Sequence, residues 1–504
     1  MLTSRSRLAA AGRRALLAVA VSSCLAATPL AGAAEAVPTG YHVTAEDALA
    51  PGVAHEALRR DDDPEVVHVA RMQRSSGVSL RVVLAENRLG AVERTDALCL
   101  RVGCVAAVNG DFYLPGDGLP VGGLVVDGQL LKSPVPTHNQ LSVAADGTLS
   151  TATLSPVARL VGSDLQELRF DAVNAERGDG QLVLYTPAFG PSTLTNQYGS
   201  ELVARVVEPA GPLLLGQTAL VELLELQDGT GNAPIPADGV VLSGHGAGAA
   251  ALASLWARAQ SGETSRRGLL RLEMTPGAQQ SIGGGPVLVR DGRRFVGDDG
   301  SDFVHGRHPR TVVGWTAEGE VLLVTVDGRQ PGYSGGMSLA EAADLMVELG
   351  AVEALNLDGG GSTTFVAGGR VLNQPSDRLV RTKGVEQIVH VPAPGDTVLS
   401  AVQRPVAMAL AIVPDSSLPR HRDDLLAGAS PQLPVTVPLR LPGGDPGSIP
   451  GGSLPARVAT LPGPPRTALP TLVAMTATAL TTAAGFTLVV VVRQRRNGRR
   501  SLTP

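Results

Sequence analysis

The stretch Ser338–Thr364, SLAEAADLMVELGAVEALNLDGGGSTT, reads as a helix, a strand and a glycine turn in direct succession. Ser338 is placed to cap a helix N-terminus, and Glu341 stands three residues on as its capping-box partner. Gly350 follows the last periodic residue, where a left-handed C-terminal cap falls. Between them Leu339, Ala342, Ala343, Leu345, Met346 and Leu349 share one face, which predicts a helix over 339–349. Ala354–Asp358 then alternates, with Leu355 and Leu357 on one side and Asn356 and Asp358 on the other. Gly359, Gly360 and Gly361 are a poor choice for regular structure, because each loses much backbone entropy on folding. Directly after two polar side chains, and before Ser362, Thr363 and Thr364, they point to close approach of main chain to a ligand.

Outward from this stretch the chain is rich in strand signals. Val66–Ala70, Val78–Leu84, Leu124–Leu131 around Asp127-Gly128, Leu182–Tyr185, Ala204–Val207, Val287–Val289 and Phe295–Val296 all carry period-two or short apolar patterns bounded by turn residues. Ala249–Ala259 is a second helix candidate. Many strands with a few packed helices predict an α+β fold of strand-rich mixed sheets, with no internal repeat.

Both ends carry targeting signals. Arg5, Arg7, Arg13 and Arg14 precede an apolar run from Ala15 to about Leu30, and small residues follow, so residues 1–34 read as a signal peptide. Val21-Ser22-Ser23-Cys24 also resembles a lipoprotein cleavage box, although the residues after Cys24 stay apolar. Residues 468–492 are apolar and uncharged, and Arg493, Arg495, Arg496, Arg499 and Arg500 follow; this predicts a transmembrane helix with a basic cytoplasmic tail over 493–504. The expected layout is an N-terminal extension over 35–63, a folded domain over 64–395 and a Pro/Gly-rich stalk over 396–467. It places a single-pass protein in the cell membrane, its folded domain extracytoplasmic.

The net charge of −5 speaks against nucleic-acid binding. If Cys24 leaves with the signal, Cys99 and Cys104 remain, and in an exported chain they are expected to form a short-loop disulfide. No HExxH, Cys-rich or His-rich metal motif is present; a hard cation such as Ca²⁺, held by Asp and backbone oxygens, is compatible with the composition.

Polar residues gather at the ends of apolar strands. Asn109 and Asp111 close the run Val105–Val108 and point the same way across Gly110. His308 and Arg310 open an apolar segment, and Asp327 and Arg329 end the next, with Ala317-Glu318-Gly319-Glu320 between. A two- or four-residue loop centred on Glu318-Gly319 puts Arg310 opposite Asp327 and His308 opposite Arg329. A three-residue loop shifts that register by one. Ser334-Gly335-Gly336, before the capped helix, and the Gly359–Gly361 turn are both placed to offer amides to an anion. Arginines, carboxylates and amides together fit phosphate recognition beside carboxylates able to act on a glycosidic bond.

HPRTVVGW (308–315), VDGRQPGYSGGMSLAEAADLM (326–346), LGAVEALNLDGGGSTTF (349–365) and VLNQPSDRLVRTKG (371–384) strongly resemble the phosphodiester glycosidase family, as do CVAAVNGDFY (104–113) and SIGGGPVLVRDG (281–292). The resemblance covers about 64–391. It implies cleavage of a sugar-1-phosphodiester at the sugar C1–oxygen bond; the expected exported location suggests an envelope or exopolysaccharide glycan as the substrate. Asp327 and Asp358 are the catalytic candidates. Asn109, Asp111, His308, Arg310, Arg329, Ser334, Asn356, Gly359, Gly360 and Ser362 are expected to bind substrate, with Arg310 and Arg329 on the phosphodiester. The family's Asn-Gly-Gly-Phe/Tyr-Phe segment is replaced here by Asn109-Gly110-Asp111-Phe112-Tyr113, so Asp111 is an addition. Two other readings are a non-catalytic glycan-binding envelope protein, which would bind without turnover, and a metal-dependent phosphodiesterase, which would cut the phosphorus–oxygen bond.

Overall fold

A computed structural model describes residues 37–415, apart from 75, 76, 136, 275, 276, 383, 384, 391, 394 and 395. The described residues form 29 strands and four α-helices. Every ladder is antiparallel except a two-residue parallel pairing of Ala172–Val173 with Val183–Leu184.

One eight-stranded sheet runs in the order His42–Ala50, Val53–Arg60, Glu65–Met72, Val321–Val326, Arg310–Thr316, Ala351–Asn356, Val287–Arg290 and Arg293–Arg294. Its central strands are buried on both faces, so they read as unbroken apolar runs. Val312, Leu322, Val324 and Ala354 face the helix Leu339–Glu348. Their neighbours Val313, Leu323 and Leu355 face a five-stranded sheet that includes Ala106–Asn109, Phe365–Ala367, Met408–Pro414 and Val78–Leu84. The helix has the anticipated capping box: Ser338 accepts from the Glu341 amide while the Glu341 carboxylate accepts from Ser338. A second eight-stranded sheet, from Val157–Gly162 through Arg267–Glu273, has its own core against the helix Ala247–Ser261. Cys99 and Cys104 are joined by a disulfide, their Cα atoms 5.0 Å apart.

The expected α+β class with a transmembrane helix is corrected. Strands dominate, helices are four and mostly short, and no helix among the described residues is long and apolar enough to cross a membrane. Residues 1–34 and 468–492, where the signal and the span were expected, lie outside the described residues.

The domain limits also move. His42–Ala50 and Val53–Arg60 are not an extension but two strands laddered onto Glu65–Met72. Met408–Pro414, expected in the stalk, lies between Ala106–Asn109 and Val78–Leu84, and Met408, Leu410 and Ile412 are fully buried. A short all-apolar run is the pattern of a strand covered on both faces, and the surrounding prolines obscured it.

The hairpin register differs from the expected one by a single residue. Arg310 pairs with Val326, and Trp315 with Val321. The reason is Gly319, which takes φ +84° while its amide donates to the Thr316 carbonyl and the Thr316 amide to the Glu320 carbonyl. That is a three-residue loop ended by a left-handed glycine, which places one more residue on the second strand.

Candidate active site

Three strand ends with glycines meet at one edge of the sandwich: Asn109-Gly110-Asp111, Gly283-Gly284-Gly285 and Asn356-Leu357-Asp358. The Asp358 amide donates to the Gly110 carbonyl at 3.0 Å. Asn109 Nδ2 donates to the Asp358 carbonyl at 2.6 Å, and Asn109 Oδ1 accepts from the Thr311 hydroxyl and the Thr364 amide. Asn109 therefore fixes the backbone on both sides of the glycine turn. Asn356 is also buried and donates to the Gly285 carbonyl at 2.9 Å. Asn109 is scaffold for the turn, whereas Asn356 Oδ1 is buried without a hydrogen-bond partner among the described residues.

Each glycine of the turn is required by a different neighbour. A Cβ on Gly359 would meet the Pro309 carbonyl at 2.6 Å; on Gly360, at φ +61°, it would meet the Arg329 guanidinium at 3.0 Å; on Gly361 it would overlap Asp377 and Arg404. The turn amides are partly spent inside the protein, since Gly360 donates to the Pro309 carbonyl and Ser362 to that of Gly359. Gly361→Ala should destabilise the chain by about 1–3 kcal/mol, read as a shift in the urea midpoint. An unchanged midpoint would show that the Asp377–Arg404 pair moves aside freely.

Asp358 sits deep in this corner yet keeps an edge open to solvent. Burial pushes its carboxyl up to about 6; the Ser362 hydroxyl, the Arg404 charge and the Gly359 amide oppose that rise, and the Asp111 carboxylate adds to it. Asp327 is also pushed up to about 6 by burial, but its surroundings differ. It is 1% exposed, and its oxygens accept from Asn373 Nδ2, the Tyr333 hydroxyl and the Gln374 amide at 2.9–3.0 Å. With three donors on it and no open edge, Asp327 organises the loop after Leu372 and is poorly placed to meet a substrate.

The expected Arg310–Asp327 pair does not form. Arg310 is 2% exposed and donates through Nε to the Met337 carbonyl, and through Nη2 to the Phe303 and Gly306 carbonyls, at 2.8–2.9 Å. Burial lowers its pKa to about 10. It braces the loop before it instead of presenting charge. Ser334 is likewise consumed: its hydroxyl donates to the Asp327 carbonyl at 2.6 Å and accepts from the Val66 amide. The Gly335 amide donates to Pro64 and the Met337 amide to His308, so the Ser334-Gly335-Gly336 element spends amides on backbone rather than on an anion.

Arg329 is the exposed cation of the group. Its backbone is left-handed, φ +59°, which turns its guanidinium over Gly360. No carboxylate among the described residues forms an ion pair with it; Nη2 donates to His308 Nδ1 at 3.3 Å. His308 Nε2 then carries the proton and donates to Asp302 Oδ2 at 3.1 Å. Burial and the neighbouring Arg404 charge lower the Arg329 pKa; the Arg329 and Arg404 guanidinium groups lie against the adjacent Gly360 and Gly361 of the turn. So His308 and Arg329 do meet, although the register behind that expectation is off by one.

Sequence reading missed several members of this site. Arg404 comes from the stretch taken as stalk and donates through Nε and Nη2 to the buried Asp377 carboxylate at 3.0 and 3.2 Å. His390 Nδ1 lies 2.8 Å from the same carboxylate. His138, from a loop far upstream, contacts Asp111 at 3.1 Å. Phe112 and Phe303 stand edge-on 6.1 Å apart and form an apolar wall there. The runs CVAAVNGDFY, which carries Phe112, and VLNQPSDRL, which carries Asn373 and Asp377, are the parts of this set that the sequence singles out. Among the described residues no cluster of three or more His, Cys, Asp or Glu side chains is close enough to hold a metal ion.

Residues 225–391 match the family model for phosphodiester glycosidase. Among curated proteins, the mouse N-acetylglucosamine-1-phosphodiester alpha-N-acetylglucosaminidase is 33% identical over 111 residues, 19% of this chain and 21% of that protein. The bovine protein of the same name is 41% identical over 75 residues, 15% of this chain and 14% of its own length. The chain thus matches about a fifth or less of these relatives. Among solved structures, a Burkholderia pseudomallei protein superposes with a TM-score of 0.50 at 25% identity, over 70% of this chain and 74% of that one. A hypothetical protein from Synechocystis shares the fold with a TM-score of 0.52 at 22% identity, over 72% and 62% of the two chains. The matched segment contains the hairpin, the capped helix, the glycine turn and the Asn373–Asp377 loop, so the chain resembles the phosphodiester glycosidases over these elements of the site, while Asn109, Asp111, His138 and Arg404 lie outside the matched residues.

Proposed function

We propose that this protein is a hydrolase that cleaves the sugar C1–oxygen bond of sugar-1-phosphodiesters and releases a phosphomonoester. One observation carries the reading: a part-buried Asp358, its carboxyl held near 6, on a glycine turn beside the Arg329 guanidinium, which among the described residues forms no ion pair with a carboxylate. A carboxylate stabilises the positive charge that develops at a sugar C1, and a free guanidinium binds a phosphate through paired N–H donors. Arg329 receives the phosphodiester, with His308 and Asp302 orienting it from behind. A phosphate ester leaves readily, so the acid on the leaving-group side contributes less than in ordinary glycoside cleavage. Asp327 serves as scaffold in this account.

The Cys99–Cys104 disulfide supports action outside a reducing cytoplasm, where envelope and exopolysaccharide glycans are met. The test is a panel of sugar-1-phosphodiesters incubated with the full chain, with free sugar as the readout. Arg329→Gln should raise KM about 10- to 100-fold, the worth of a charge-assisted phosphate contact, and leave the melting temperature unchanged. An unaltered KM would remove Arg329 from the phosphate site. Binding of the same panel without any turnover would favour a glycan-binding protein instead.

A further inference from the structure

Asp111 and His138 form a unit that the roles above leave unused. Asp111 is 2% exposed, and its Oδ2 accepts from the Gly122 amide at 2.8 Å. Its Oδ1 meets His138 Nε2 at 3.1 Å. The pocket around this carboxylate is made of glycine: a Cβ on Gly122 would lie 2.5 Å from Oδ2, and one on Gly283 would overlap it. Behind it the buried Lys132 ammonium donates to the Val121 and Gly122 carbonyls at 3.2 Å, and its charge interacts with that of Asp111. Three separate segments thus leave space for, and orient, one carboxylate.

His138 is held in turn. With Asp111 accepting from Nε2–H, the lone pair is at Nδ1. Phe112 stands edge-on to the ring at 6.5 Å. The side chain keeps 18% exposure, and among the described residues Nδ1 has no hydrogen-bond partner. An imidazole with one nitrogen on a buried carboxylate and the other free is the arrangement of an oriented general base. The dyad is next to the reacting centre: Gly110, between Asn109 and Asp111, accepts from the Asp358 amide at 3.0 Å, and the Asp111 charge acts on the Asp358 carboxyl.

We infer that His138, oriented by Asp111, is the general base that activates the hydrolytic water at the Asp358 site. This rests on the proposed glycosidase reading. A water O–H proton passes to His138 Nδ1 as the water oxygen bonds to C1. The C1–O bond breaks, and its electron pair leaves on the phosphate oxygen held at Arg329. The products are the free sugar and a phosphomonoester, and the imidazolium returns its proton to solvent. His138 is here a catalytic residue, and Asp111 a positioning residue acting through it.

Two measurements test the dyad in the full chain. His138→Ala should lower kcat on the best phosphodiester of the panel at least about 100-fold, as removal of a general base does, with KM within about threefold, and added imidazole should restore part of the loss. Asp111→Asn should lower kcat comparably, and the double variant should be no worse than either single one, because the two act as a unit. Nitrogen-15 NMR of the resting protein should show His138 protonated at Nε2, and Asp111→Asn should disturb that signal. A kcat within threefold of wild type, a loss that imidazole does not restore, or a proton on Nδ1 would each overturn the inference. Wild-type turnover with an unimpaired His138→Ala overturns the dyad alone; a wild-type chain inert on the whole panel overturns the functional reading with it.

Discussion

Asp358→Asn is expected to lose activity by roughly 10³-fold, the middle of the range for removal of a catalytic proton-transfer or charge-bearing group, and to gain stability at neutral pH. The second half follows from linkage. The carboxyl has an ordinary value of 3.8 and is held at about 6 in the fold. Between those values the folded chain binds more protons than the unfolded one, so stability falls as pH rises through that window. The charged group then weighs against folding by on the order of 1–3 kcal/mol above pH 6, allowing for its open edge to water. Asparagine removes the ionisation. The stability difference should be absent below about pH 4 and complete above about pH 6, in thermal melts of the two proteins across that range. The same ionisation should appear in catalysis, with wild-type kcat/KM rising through about pH 6. A variant that is inactive and also less stable at pH 7 would recast Asp358 as a structural group.

Asp327→Asn should do the opposite on stability. Asn373 Nδ2, the Tyr333 hydroxyl and the Gln374 amide all donate to the two Asp327 oxygens in a site with almost no exposure. An amide offers one acceptor oxygen, so at least one buried donor faces an NH2 group. That costs about 1–3 kcal/mol, against which the lost ionisation penalty of Asp327 is a partial offset at pH 7 and none at pH 4. The deficit should therefore be largest at acid pH, the reverse of the Asp358 pattern. Activity should fall too, by an indirect route. Asp327 holds the loop carrying Asn373 and Gln374, that loop leads to Asp377, and Asp377 grips Arg404 against Gly361. A fully stable Asp327→Asn protein that has lost activity would instead favour a direct chemical role.

The contrast between these two aspartates shows what sequence could and could not carry. Both end apolar strands and both precede a glycine, so pattern alone treats them alike. What separates them is the number of donors aimed at each, and two of the three donors to Asp327 come from Asn373 and Gln374, 46 and 47 residues away. The capped helix and a strand before the glycine turn were legible because their signals are local, a capping box, a terminal glycine and a period of two, although the strand spans Ala351–Asn356 and Asp358 lies beyond its end rather than on it. The hairpin was legible as a hairpin, but its register turned on one left-handed glycine, Gly319. Arg404 and His138 were not legible, since each reaches the site from a loop whose own sequence has no period. The strand Met408–Pro414 was hidden by its setting, where prolines on either side mask a fully buried apolar run.

The central claim concerns which bond breaks, and hydrolysis in ¹⁸O-enriched water reads that directly. With a cleaved sugar-1-phosphodiester and the full chain, the label should appear in the C1 hydroxyl of the released sugar and be absent from the phosphomonoester. Label in the phosphate instead would mean attack at phosphorus and would contradict the assignment of Asp358 and Arg329.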